Sequence, residues 1–279
     1  ISAHQKAFDM SSHFDITTAP YTRFKFSRDG AVLTAAIAGA NPVNGVDAAM
    51  HDELAQIFTD LQRDSESDII ILTAEGRAFC AGGDFDWFEE QISDPAKFRS
   101  IAWDAKRIVT SLLEMEKPMI CRLNGAAAGL GATIALLCDI IIADETAKIG
   151  DPHVKVGLVA GDGGALIWPQ LIGYAKAKEL LMTGDLLTAA EAKELGLINY
   201  AVPANELDAK VGELVGKLQA NPKWAVRWTK TVTNIPLRAL AAQLMDASVG
   251  WESVSNYLDD RREAVKATME KRKPNLTGN

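Results

Sequence analysis

The stretch GDPHVKVGLVAGDGG, residues 150–164, sets an imidazole, His153, and a carboxylate, Asp162, nine residues apart, with glycines and apolar residues between and around them. An imidazole titrates near pH 6.5 in its ordinary state, which suits it to proton transfer in either direction. A carboxylate on its far nitrogen fixes the tautomer and raises its basicity. Across a strand end and a glycine turn the two can fold back on each other, so the pair reads as a general acid–base couple. Two plainer readings stand beside this one. His153 can be a satisfied imidazole beneath a loop, and Asp162 can be a turn former, since Asp before Gly-Gly is a common turn device.

Two glycine loops offer a second kind of chemistry. Ala81-Gly82-Gly83-Asp84 and Gly129-Leu130-Gly131 each read as a strand end, then glycines, then a helix start. Glycine lets backbone N–H groups point outward, and a helix N-terminus adds partial positive charge. Two such groups converging on one point make an oxyanion hole, in which one donor stabilises a transition state by about 3 kcal/mol. Neither loop matches the GxGxxG or Walker pattern, so neither supports a nucleotide cradle of those kinds. Cys80, Cys121 and Cys138 form no CxxC and sit in apolar or glycine-rich runs. They read as buried thiols of a reducing compartment, which predicts a cytoplasmic protein, with Cys80 the one candidate nucleophile. The four histidines show no zinc-ligand spacing, and no metal is expected.

The elements that must position these groups follow from hydrophobic periodicity. The 279 residues are 48% apolar and 24% charged, enough for one large α/β unit with a helical appendage. A net charge of −8 argues against nucleic acid as a partner. No apolar run reaches the roughly 18 residues of a membrane span, so no membrane partner is expected. Residues 1–20 lack periodicity and read as an N-terminal arm or disordered lead. Residues 31–39, 68–76, 119–125 and 139–144 are short apolar runs that predict strands. Met50, Leu54, Ile57, Phe58 and Leu61 recur at helical spacing, as do Ile101, Ile108 and Leu112. Residues 76–85 read as a loop, and 126–138 as a glycine-rich entry into a buried helix. Beyond 172 the pattern is almost wholly helical, with a capping box at Thr188 and Glu191 and a stop at Gly196. The basic tail 269–275 reads as a solvated helix end or a phosphate contact.

Taken in order, these pieces resemble the crotonase (enoyl-CoA hydratase/isomerase) superfamily. The resemblance rests on Asn44, IIILTAEGRAFCAGGDF (69–85), KPMICRLNGAAAGLGATIALLCDIIIAD (117–144), GLVAGDGG (157–164), LLMTGDLLTAAEAKELGLIN (180–199) and EKRKPN (270–275). It implies a spiral of ββα units over 21–200 and a C-terminal helical trimerisation region over 201–279. It also implies a homotrimer or a hexamer, and an acyl-CoA substrate with no permanently bound cofactor. By the family pattern, the thioester carbonyl sits between the N–H groups of Gly83 and Leu130. Ala81, Gly82, Asp84, Gly131 and Thr133 then lie along substrate or coenzyme, and Arg272 or Lys273 meets its phosphates, across a subunit boundary or within one chain.

The chain also departs from the family's hydratases. Both glutamates that handle water there are replaced, by Thr133 and by His153 in Asp151-Pro152-His153. Isomerases of the superfamily carry an acid where this chain has Gly161. The β-diketone (oxocamphor) hydrolase branch is similar in its His-to-Asp spacing, in Trp168-Pro169 and in the segment from His51 to Ala55, which adds His51 to the site. That branch lacks the oxyanion glycines kept here. The leading expectation is therefore an acyl-CoA enzyme in which His153, paired with Asp162, moves a proton or activates water. Carbon–carbon hydrolysis of a β-dicarbonyl is the second reading, and a crotonase-like shell kept for binding is the third.

Overall fold

The computed structural model describes residues 13–279. Two sheets run side by side, and the chain passes from one to the other at each turn of a spiral. Asp29-Gly30 closes a hairpin between β1 (Phe24–Asp29) and β2 (Val32–Ile37), with Gly30 at φ +55°. Asp47 caps α1 (Ala48–Arg63) by accepting from the Met50 N–H, and the Met50, Leu54, Phe58 and Leu61 stripe is fully buried. β3 (Ile69–Ala74) then enters the first sheet and β4 (Ala78–Cys80) the second, followed by α2 (Phe85–Ser93) and α3 (Pro95–Glu114). The next turn repeats the plan with β5 (Met119–Leu123), β6 (Ala126–Ala128) and α4 (Leu130–Leu136). A third gives β7 (Ile140–Asp144), β8 (Lys148–Gly150) and α5 (Gly164–Thr183).

The first sheet has the order β1-β2-β3-β5-β7-β10, where β10 is Tyr200–Val202. All its pairs are parallel except β1 with β2. Its central strands are continuous apolar runs because both faces are covered. The second sheet has the order β4-β6-β8-β9, where β9 is Leu186–Thr188, just before the short helix α6 (Ala189–Glu194). This is the α/β spiral of ββα turns that the sequence predicts. Four helices follow: α7 (Leu207–Gln219), α8 (Lys223–Thr233), α9 (Ile235–Asn256) and α10 (Asp259–Met269). α9 packs on α3 and α5, so the C-terminal region closes over the spiral.

Some expectations need correction. The loop expected over 76–85 begins with the strand β4, and the entry expected over 126–138 begins with β6. The stretch after 172 contains β9 and β10 as well as helices. These strands have three residues each, too short to show a period. Of the arm expected over 1–20, residues 1–12 lie outside the described residues. Residues 13–20 are docked: Ile16 is buried and its N–H donates to Asp64 Oδ2 at 3.0 Å. Among the described residues no helix is long and apolar enough to cross a membrane.

Candidate active site

The two glycine loops place two uncommitted amides at one cavity. Val46 pins the first loop by donating to the Gly82 carbonyl at 2.8 Å and accepting from the Asp84 N–H at 2.9 Å. This bracing leaves the Gly83 N–H without a bond among the described residues. Gly82 sits at φ +91°, a conformation that side-chain-bearing residues rarely adopt. In the second loop Gly129 turns at φ +53°, and Leu130 opens α4. A first-turn amide has no intrahelical acceptor. Gly83 and Leu130 both line a cavity of about 540 Å³. Its apolar wall includes Trp87, Phe98, Ile101 and Val249.

The same cavity is lined by His153 and Asp162. The imidazole Nε2 lies 3.3 Å from Asp162 Oδ2, so the pair expected from the sequence is formed. Its other nitrogen, Nδ1, lies 2.5 Å from Asp151 Oδ1. The sequence reading took Asp151 only as part of an altered motif and missed it as a partner. Burial alone would lower the His153 pKa, but Asp151 first and Asp162 second override it and hold it well above the ordinary histidine range. The two carboxylates on either side of His153 thus favour its imidazolium form. Asp162 Oδ1 is buried and has no hydrogen-bond partner among the described residues.

Glu252 of α9 is the second residue that the sequence did not reveal. It is 6% exposed and lines the cavity. Gly161 is what admits it, since a Cβ at 161 would lie 2.6 Å from Glu252 Cβ and 2.8 Å from its Oε2. Gly161, where the resemblance leads one to expect an acid in isomerases, leaves room for a carboxyl group from another helix. Burial, then the charge of Asp162, pushes the Glu252 pKa up to about 8. His51 of α1 is buried with Nδ1 unpartnered, and its ring lies 5.3 Å from Trp87. Burial depresses its pKa below the ordinary value, only partly offset by Asp104, so it is a neutral imidazole.

Other expected site residues lie elsewhere. Ala81, Gly82, Asp84, Gly131, Thr133, Arg272 and Lys273 do not line this cavity. Asp84 caps α2 through the Asp86 N–H and accepts from Asn41 Nδ2. Gly131 lets α4 approach β4, because a Cβ there would lie 2.4 Å from the Cys80 carbonyl oxygen. Thr133 is fully buried against Gly163. Arg272 is held by Glu263 and Glu270 of its own chain. Burial raises the Cys80 thiol to about 11, so it supplies no thiolate at neutral pH. Asp151, His153 and Asp162 bring donor atoms within 4.8 Å of one another, a grouping that the scattered histidines did not foretell. Both ring nitrogens are already engaged with the carboxylates.

The enoyl-CoA hydratase/isomerase family model matches residues 28–279, from the end of β1 through the helical region. The chain belongs to the enoyl-CoA hydratase/isomerase family. It is 31% identical to the 1,2-epoxyphenylacetyl-CoA isomerase of Escherichia coli, over 88% of this chain and 95% of that one. It is likewise 31% identical to the crotonyl-CoA hydratase of Syntrophomonas wolfei, over 80% of this chain and 86% of the relative. A crystal structure of an enoyl-CoA hydratase/isomerase from Mycobacterium paratuberculosis superposes with a TM-score of 0.83 at 34% identity, covering 88% of this chain and 98% of the other. A β-diketone hydrolase from the cyanobacterium Anabaena, solved with (S)-3-oxocyclohexyl acetic acid bound, superposes with a TM-score of 0.78 at 29% identity, covering 85% and 95%. The site of this family member combines two glycine loops with an Asp–His–Asp cluster.

Proposed function

We propose that the chain processes acyl-CoA thioesters through an enolate held by the Gly83 and Leu130 amides, with Asp162 as base and Glu252 as acid. The observation that carries this reading is the single cavity shared by two uncommitted amides, a buried carboxylate with a free oxygen, and a second carboxyl group whose pKa is pushed upward. A carboxyl group held protonated by burial can serve as the acid beside a second carboxyl group that serves as the base. In hydration, Asp162 Oδ1 takes a proton from water as the water oxygen bonds to the β-carbon. The electron pair moves to the thioester oxygen under the two amides, and Glu252 returns a proton to the α-carbon. In isomerisation, Asp162 removes a carbon-bound proton and Glu252 delivers one at the other end of the enolate. His153 stays protonated throughout and orients Asp162.

A second reading draws on the likeness to the β-diketone hydrolase and on the loss of both hydratase glutamates. Water activated by Asp162 adds to one carbonyl of a β-dicarbonyl, the carbon–carbon bond breaks, and the leaving enolate takes the Glu252 proton. A panel of enoyl-CoA, β-ketoacyl-CoA and free cyclic β-diketone substrates, followed by mass spectrometry, separates the readings. A hydrated or isomerised thioester supports the first, and a ring-opened acid the second. Absence of any product across the panel contradicts both and favours a binding role.

A further inference from the structure

Arg261 sits at the start of α10 with no exposed surface, and among the described residues it has no carboxylate within ion-pair distance. A guanidinium is costly to bury unless its surroundings compensate. Its Nη1 donates to the Val156 carbonyl at 2.7 Å, and its Nε to Asn256 Oδ1 at 3.4 Å. Its Cζ lies 4.4 Å from the centre of the Phe88 ring, a cation–π contact. Nη2 has no partner. Val156 ends the 3-10 turn that begins at His153. Phe88 rests on the first oxyanion loop so closely that a Cβ at Gly83 would lie 2.2 Å from Phe88 Cε1. Gly157 completes the fit, since a Cβ there would lie 2.8 Å from Arg261 Cα. Asn256 in turn donates to the Gln91 carbonyl on α2.

We propose that Arg261 is a positioning residue that fixes both halves of the site at once: the Gly83 amide through Phe88, and His153 through the Val156 carbonyl. It reaches neither substrate nor reacting atoms, since it does not line the cavity. Its partners belong to the elements carrying the oxyanion donor and the imidazolium, so the C-terminal region sets the distance between the two. The inference rests on the functional reading above, and its test includes one measurement that does not need turnover.

In Arg261→Met the kcat on the best acyl-CoA falls about tenfold or more, while KM stays within about threefold, as displacement of catalytic groups predicts. Arg261→Lys, which keeps a cation over Phe88, recovers most of the loss. Phe88→Leu lowers kcat in the same direction, and the double variant is no worse than the poorer single variant within about threefold, because both act through Gly83. Independently of any substrate, the imidazole NMR signals of His153 shift in folded Arg261→Met or Arg261→Lys protein. Unchanged His153 signals, or effects of the two positions that multiply, overturn the proposal. If the wild-type chain turns over no thioester while the His153 signals move, the functional reading fails and the positioning role stands.

Discussion

Imidazole and carboxylate exchange their expected roles once Asp151 is in place. A histidine with one carboxylate partner can act as a base; clasped by two, it keeps its proton. In the mechanism proposed above the base function then falls to Asp162, the partner that lines the cavity. Glu252 must hold a proton to act as the acid, so activity falls as pH rises through about 8. A pH–rate profile checks this, and Glu252→Gln removes both the activity and that alkaline limb. Stability falls with rising pH as well, over a lower pH range. Glu252 has a folded pKa above its unfolded one, so the unfolded state loses its proton first and the wild-type protein loses stability as pH rises from the ordinary carboxylate range toward about 8. Glu252→Gln escapes that loss, and its melting temperature at pH 8 should exceed the wild-type value in a thermal scan. A lower melting temperature there would count against a buried, neutral Glu252.

Legibility in the sequence differs element by element. β3, β5 and β7 were readable because each is a mostly apolar run bounded by turn signals. β4, β6 and β8, with sequences AFC, AAA and KIG, carry no pattern of their own and exist because the neighbouring strand supplies their partners. The glycines were readable as loops, yet their tasks were not separable. Gly83 faces the cavity, whereas Gly131 lets α4 seat against β4. Gly131→Ala should therefore destabilise the fold by about 1–3 kcal/mol, the usual range for overpacking. Chemical denaturation checks this, and wild-type stability in that variant would contradict the seating argument. Glu252 was hidden because a glutamate on an amphipathic helix ordinarily faces water. Only the packing of α9 over Gly161 turns it inward.

At the scale of the molecule, the C-terminal helices leave apolar surface exposed. Trp224, Trp228, Val232 and Ile235 follow one another at roughly one-turn spacing through α8 into α9, and each is at least half exposed. An exposed apolar stripe of this kind marks an interface in a soluble protein. We propose that a second copy of the chain covers it, in the trimer or hexamer that the resemblance implies. Light scattering should then give three or six times 30.1 kDa, and Trp228→Lys should shift the mass downward. A wild-type monomer would contradict this assembly. Assembly is also where Arg272 and Lys273 can meet a coenzyme phosphate, since neither lines the cavity of its own chain.

The central claim is that Asp162 is the base beside two backbone amides that hold a thioester enolate. Single-turnover kinetics of wild-type and Asp162→Asn protein on a thioester that the wild type converts tests it most directly. The account predicts similar binding of the thioester and a chemical step slowed by about a hundredfold or more. An unchanged chemical step in Asp162→Asn would contradict it.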